Sequence, residues 1–277
     1  MDVAVLEIGG SHVTAAVVAP GTWDVTEVDR AELESRAAAE AVVAQLADTA
    51  RKLPLANGLA IALPGPFDFA TGVAWYRGQG KFDRLYGFNL GAALSEELGI
   101  DRLLFMNDAE AFAVGEWTAG EVRGAARCVG VTIGTGIGTA FLADGQVVRE
   151  GGTVPPGGEL YKTSYAGKPL EDSISARAIL RRYAESTGRE APGVKEIADQ
   201  ARAGDSAARE VLEACFTDLA AALGPWLERF GVTRTVLGGS IAGAFDLVAP
   251  VIPFPATATK DTERSALIGS AAHYLRS

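Results

Sequence analysis

Asn107-Asp108 closes an apolar run, Leu103-Leu104-Phe105-Met106, and opens an alanine-rich stretch. A carboxylate at a strand end can accept the proton of an attacking hydroxyl. An asparagine beside it suits a polyhydroxylated ligand, which needs paired donors and acceptors. Asp108 would also cap a helix beginning at Ala109, and the two roles are compatible. Three glycine-rich segments accompany this pair: Gly9-Gly10-Ser11-His12, Gly134-Thr135-Gly136 and Gly238-Gly239-Ser240. Glycine lacks a Cβ and admits positive φ, so the backbone can curl and approach a ligand. Successive N–H groups in such a bend form an anion cradle. Ser11, His12 and Thr135 add side-chain donors. These residue types together point to phosphoryl transfer, which needs positioning and charge neutralisation more than covalent help. None of the bends is a Walker loop, because no Gly-Lys-Ser/Thr follows. Gly134-x-Gly136-x-Gly138 also fails the dinucleotide fingerprint: its spacing is wrong and a β-type run follows.

The elements that must position these residues are legible in outline. Val3–Leu6 and Val13–Val18 read as strands joined through the first glycine bend, with a turn at Pro20-Gly21. Residues 31–52, rich in Ala, Glu, Arg and Leu, read as a helix. Leu59–Leu63 reads as a buried strand stopped by Pro64-Gly65-Pro66, residues 90–98 as a helix, and 109–118 as the helix after Asp108. Val129–Ile133 and Thr139–Leu142 form a second strand pair about the second bend. Helical sequence dominates 171–230, interrupted near Gly188–Gly193 and at Gly204. Thr235–Leu237 reads as a strand, Ile241–Val248 as a helix and 263–275 as a closing helix.

Ile8-Gly9-Gly10-Ser11-His12-Val13-Thr14-Ala15 matches Ile133-Gly134-Thr135-Gly136-Ile137-Gly138-Thr139-Ala140 in pattern, an internal repeat. Two such copies predict two lobes of similar topology with a ligand in the cleft between them. The chain has 277 residues, enough for either one large domain or two lobes, and carries a formal charge of −10. So acidic a surface, with its basic residues scattered, argues against a nucleic-acid partner. Two distant cysteines, Cys128 and Cys215, form no zinc or disulfide framework and suggest a reducing cytoplasm. No signal-peptide pattern opens the chain, and no apolar run reaches the ~20 residues that span a bilayer.

At this point the sequence resembles the ROK family of repressors, uncharacterised frames and kinases, along nearly its whole length. Glu7-Ile8-Gly9-Gly10-Ser11 resembles the first phosphate motif, usually Asp-Ile-Gly-Gly-Thr. Gly130–Gly138 resembles the second, Val236–Ser240 the adenosine motif, and Asn107-Asp108-Ala109 with Gly115-Glu116 the catalytic segment. The resemblance implies an α/β, actin-like ATPase (ribonuclease H-like) fold of two lobes. The expected division is residues 1–107, with 263–277 packing back on them, and 108–262. It further implies transfer of the ATP γ-phosphoryl group to a hexose-like sugar, with Mg²⁺. Carried over by position, Asp108 is the general base and Asn107, Glu159 and Glu171 are sugar ligands. Pro64 and Gly65 belong to a loop covering the sugar. Glu7, Gly9, Gly10, Ser11, His12, Gly134, Thr135, Gly136, Gly238 and Gly239 hold the nucleotide, with Glu7 reaching the Mg²⁺ through water. Family members are often dimers, so a homodimer stays open by analogy.

Three departures qualify the match. Glu7 replaces the usual aspartate and is one methylene longer, which shifts the geometry offered to a strictly octahedral Mg²⁺. The histidine that many members carry after the Glu159 position is Lys162 here, and Thr163–Pro169 hold no cysteine, so no zinc site is expected. Lys162 either takes over the sugar contact or is solvated. Tyr76–Phe82 departs from the usual sugar segment, and its Arg77 and Lys81 either meet an anionic substrate or stay on the surface. Variants of the kinase reading are an amino-sugar or cyclitol acceptor and a polyphosphate donor. A non-catalytic sugar sensor is the other reading. Direct DNA binding is not expected, because ROK repressors place a DNA-binding domain before the first phosphate motif, which here begins by residue 7.

Overall fold

The computed structural model describes residues 1–277, which divide into two compact units: Met1–Gly115 with Glu263–Ser277, and Glu116–Thr262. In the first unit, β1 (Val3–Ile8), β2 (His12–Ala19) and β3 (Asp24–Glu32) form an antiparallel meander. Helix α1 (Ala39–Ala50) leads to β4 (Leu59–Leu63). A small hairpin of β5 (Phe67–Asp68) and β6 (Val73–Ala74) precedes α2 (Leu90–Leu98), β7 (Leu103–Asn107) and α3 (Asp108–Ala119). The sheet order is β3-β2-β1-β4-β7, with β1, β4 and β7 parallel.

The β3 strand corrects the sequence reading, which began a helix at residue 31. Asp24–Glu32 is polar on both faces and largely exposed, so no apolar alternation marks it. It forms as an edge strand because the Pro20-Gly21 turn folds it back onto β2.

The second unit repeats the plan. β8 (Arg127–Ile133), β9 (Ile137–Ala143) and β10 (Gln146–Val148) run antiparallel. A short hairpin, β11 (Ser164–Tyr165) and β12 (Lys168–Pro169), precedes α4 (Ala176–Thr187), α5 (Val194–Arg202) and α6 (Ser206–Phe230). Gly188 ends α4 with a φ of 68°, and Asp205 caps α6 by accepting from the Ala208 N–H. These are the interruptions foreseen in the helical region. β13 (Arg234–Gly238), α7 (Phe245–Val248) and β14 (Ala256–Ala258) complete the unit, in sheet order β10-β9-β8-β13-β14. The helix expected over 241–248 is instead a 3₁₀ turn followed by the single turn of α7.

The last helix, α8 (Thr262–Arg276), contributes nearly all its length to the first unit. There the period-two alternation of β1 sorts its residues. Ala4, Leu6 and Ile8 pack with Val42, Leu46, Leu90 and Leu94 of α1 and α2. Val3 and Val5 face Leu267, Ile268, Ala271 and Tyr274 of α8. Each fully buried large aliphatic contributes about 1.5–3 kcal/mol. A Cβ on Gly269 would lie 1.8 Å from the Ala111 carbonyl oxygen, and one on Gly115 1.8 Å from that of Ser265. Glycine is therefore what lets the backbones of α3 and α8 touch.

Candidate functional site

In the first unit the predicted residues gather at the C-terminal ends of the three parallel strands, where open α/β sheets bind ligands. Ile8 ends β1, Leu63 ends β4 and Asn107 ends β7, with Leu63 and Asn107 in register. Helix α3 starts at Asp108, and the Asn107 Oδ1 accepts from the Ala109 and Glu110 N–H groups at 3.0 and 3.2 Å. Capping is thus shared: Asn107 supplies the bonds to Ala109 and Glu110, while Asp108 Oδ1 also accepts from its neighbour Ala109, at 2.8 Å. The Asp108 carboxylate lies in the first turn, where the helix dipole favours an anion. Pro64 and Gly65 leave β4 beside this pair, a Cβ on Gly65 falling 3.9 Å from the Asn107 Nδ2. The Pro64 carbonyl accepts from the buried Tyr76 hydroxyl at 2.6 Å. Burial and the Asp108 charge both raise the Tyr76 phenol.

Alternation puts Glu7 on the Val3–Val5 face, toward α8. The cross-strand row there is Glu7, Thr14 and Arg30. Above it lies Glu263 of α8, whose carboxylate receives the Arg30 guanidinium at 2.6 and 2.5 Å and the Thr14 hydroxyl. Burial raises the Glu263 carboxyl, but Arg30 and Thr14 outweigh it and hold the group below its usual value. Glu7 is different. Its Oε2 is buried with no hydrogen-bond partner, and His12 Nε2 stands 3.9 Å away. Burial, then the charges of Glu263 and Asp108, push its carboxyl up to about 8, against the opposing pull of Arg30. Ligand atoms of Glu7, His12 and Glu263 all lie within 4.8 Å of one another. Glu263 and Arg30 were not among the residues singled out in the sequence. The one available signal was the alternation that turns Glu7 to the α8 face.

The bend between β1 and β2 runs through Gly9, Gly10 and Ser11, closed by the Gly9 N–H bonding the His12 carbonyl at 2.9 Å. His12 folds back, its Cε1 3.1 Å from where a Gly9 Cβ would be. The Ser11 carbonyl accepts from the Leu33 N–H, and its side chain is exposed.

In the second unit the matching bend is one residue shorter: Ile133 pairs with Ile137, whereas Ile8 pairs with Val13. Gly134 N–H bonds the Gly136 carbonyl at 2.9 Å and Thr135 is exposed. Glu171 is placed against this bend, its Oε1 accepting from the Ile137 N–H at 3.0 Å. Gly238 ends β13, and Gly239, at φ 84°, crosses the end of β8: its Cβ would lie 2.3 Å from the Ile133 carbonyl oxygen. Glu159 follows the Gly157-Gly158 turn, which Thr139 pins by donating to the Gly158 carbonyl and accepting from the Leu160 N–H. Lys162 forms an ion pair with Glu159. Glu116, from the catalytic segment's Gly115-Glu116, accepts from the Glu121 N–H at 2.8 Å and from the Thr259 hydroxyl.

One physical reason changes. Gly9, Gly10, Gly134 and Gly136 keep ordinary φ; of the predicted site glycines, only Gly239 is left-handed. These bends use glycine for close approach. A Cβ would fall 3.0 Å from Lys81 Cδ at Gly10 and 2.2 Å from Glu171 Oε1 at Gly136. Cys128 and Cys215 are buried free thiols pushed up to about 12 by burial, poor material for metal binding. No helix is long and apolar enough to cross a membrane.

A model of the ROK family matches residues 3–267. A β-glucoside kinase from Listeria monocytogenes is 26% identical over 258 residues, covering 90% of this chain and 86% of that protein. A glucokinase from Thermotoga maritima is 26% identical over 270 residues, covering 88% and 83%. The solved ROK-family glucokinase of Streptomyces griseus, in complex with glucose and AMPPNP, superposes with a TM-score of 0.80 over 100% of both chains at 18% identity. At that identity the likeness shows the fold, the actin-like ATPase fold of these kinases.

Proposed function

This chain belongs to the ROK family, and from that premise we propose that it is a sugar kinase transferring a terminal phosphoryl group to a hydroxyl of a hexose-like sugar. The observation that carries the reading is the convergence of Glu7, the Gly9–Ser11 bend, Gly65, Asn107 and Asp108 on one end of the first unit's parallel strands.

Asp108 accepts the proton of the attacking sugar hydroxyl as the new O–P bond forms. The bond from phosphorus to the donor's bridging oxygen breaks, and the shortened nucleotide leaves with that electron pair. Asn107 both holds the first turn of α3 and orients the sugar, with Pro64 and Gly65 beside it. Glu159 and Glu171 are assigned to further sugar hydroxyls; Glu171 at the same time braces the second bend. The N–H groups of Gly10 and Ser11, with His12, and those of Thr135 and Gly136 are assigned to the donor phosphates, while the Gly9 and Gly134 N–H groups close the two bends. Gly238 and Gly239 are assigned to the adenosine.

A divalent cation fits the first unit, because Glu7 Oε2 is a buried carboxylate oxygen that no donor satisfies. Glu7 would hold Mg²⁺, with waters completing its octahedron. Bound there, the cation would supply charge neutralisation to the phosphates.

A coupled ADP-release assay across neutral sugars, amino sugars and cyclitols, run with ATP and repeated for product with polyphosphate, tests the proposal. Turnover of at least one acceptor is expected. The second reading, a sugar and nucleotide sensor, is favoured by Glu7 standing where an aspartate is usual. Nucleotide binding with no turnover of any acceptor would establish it and sink the kinase.

A further inference from the structure

The segment Tyr76–Phe82 carries two cations that the sequence left open, and the structure separates them. The Arg77 guanidinium stacks on the exposed Tyr86 ring, 4.1 Å from its centroid. Lys81 turns the other way. A Cβ placed on Gly10 would meet Lys81 Cδ at 3.0 Å and Nζ at 3.4 Å, so the stem and ammonium of this half-buried residue lie beside the first glycine bend. Lys52, Lys162, Lys195 and Lys260 are each taken up by a carboxylate. The Lys81 ammonium instead lies 3.4 Å from where a Gly10 Cβ would be.

That placement is built. Ser35 donates to the Gly10 carbonyl at 2.6 Å, and the Ser35 carbonyl accepts from the Phe82 N–H at 2.7 Å. Lys81 is therefore tied, through its neighbour and one serine, to the very bend it covers. The Asp83 carboxylate accepts from the Gln79 and Gly80 N–H groups at 3.0 and 3.1 Å, and Arg36 Nε donates to the Gly80 carbonyl at 2.9 Å. The Phe82 ring is buried against Tyr76 at 5.2 Å. Each bond fixes the loop's backbone, which limits the places the lysine stem can reach.

The geometry points to Lys81 as a donor-binding residue: its ammonium contacts a phosphoryl oxygen of the polyphosphate chain held at the Gly9–Ser11 bend. This rests on the kinase reading. A compact ammonium suits phosphate as a point charge. The bend contributes N–H dipoles but no full positive charge, and Asp108 is an acidic neighbour that an incoming polyanion must overcome. A cation fixed at Gly10 answers that repulsion on the donor's side of the site rather than the sugar's.

Lys81→Met keeps the stem length and removes the charge; Lys81→Arg keeps the charge. Equilibrium binding of AMPPNP and of inorganic tripolyphosphate is measured for all three proteins, with KM for donor and for sugar under both ATP and polyphosphate. Loss of a charge-assisted hydrogen bond predicts donor affinity weakened about 10- to 100-fold in Lys81→Met. Sugar KM should stay within about twofold, and Lys81→Arg should recover most of the loss. Equal weakening for AMPPNP and tripolyphosphate assigns the contact to the phosphate chain. Unchanged donor affinity in Lys81→Met overturns the inference, as does a loss confined to sugar KM. Should wild type turn over no sugar, the kinase reading falls but the binding comparison still decides the lysine. A wild type that binds neither polyphosphate probe refutes it.

Discussion

Glu7→Gln exchanges a buried carboxyl for an amide of the same shape, and its effect should depend steeply on pH. The Glu7 carboxyl is pushed from its ordinary 4.5 up to about 8 by burial and by Glu263 and Asp108. Its side chain is 15% exposed, so solvent screens it little. A raised acid means that the folded state binds the proton more tightly than the unfolded chain. Between pH 4.5 and about 8 the unfolded chain has already released that proton, so stability falls as pH rises through this window. Above about 8 the full penalty applies. At ~1.4 kcal/mol for each tenfold change in proton affinity, the penalty is about 5 kcal/mol. The glutamine variant cannot ionise and escapes it. Wild type and variant should therefore have similar urea midpoints at pH 5 and separate progressively to pH 9, with the variant the more stable. Other titrating groups are common to both proteins and cancel in the difference. The readout is far-UV circular dichroism in urea at pH 5, 6, 7, 8 and 9. Parallel curves across the range would show that Glu7 carries no buried charge penalty, and the reasoning about its environment would be wrong.

Further outcomes follow from the same geometry. Asp108→Asn should retain sugar binding by calorimetry while turnover falls by about 10² or more; undiminished turnover removes Asp108 as the base. Gly269→Ala drives a Cβ to within 1.8 Å of the Ala111 carbonyl and should cost about 1–3 kcal/mol in urea unfolding. Gly243→Ala, whose Cβ would meet no atom within 4 Å, should stay within about 0.5 kcal/mol of wild type. Gly136→Ala displaces the Glu171 carboxylate from the Ile137 N–H. It should weaken AMPPNP binding, and an unperturbed affinity would remove the second bend from the phosphate-holding role.

Much of the fold was readable from neighbours in the chain. Leu59–Leu63 and Leu103–Met106 are short apolar runs bounded by breakers, and both are strands. The repeated glycine hairpins stand out because their pattern is local: strand, tight bend, strand. Asp24–Glu32 was not readable, since an edge strand exposed on both faces has no apolar period and is stabilised by the ladder to β2.

By itself, the order of residues determined the two hairpins, the strands over Leu59–Leu63 and Leu103–Met106, and the acidic and glycine-rich segments beside them. Those features depend on side-chain period and turn chemistry within about ten residues. Only the tertiary structure decided what stands next to them. It brought Glu263 over Glu7 from the far end of the chain and Glu171 against the Gly134–Gly136 bend, and it laid Lys81 on Gly10. Such pairings join segments with no pattern in common. Their strength comes from burial and charge at short range, which exist only once the sheets and helices have packed.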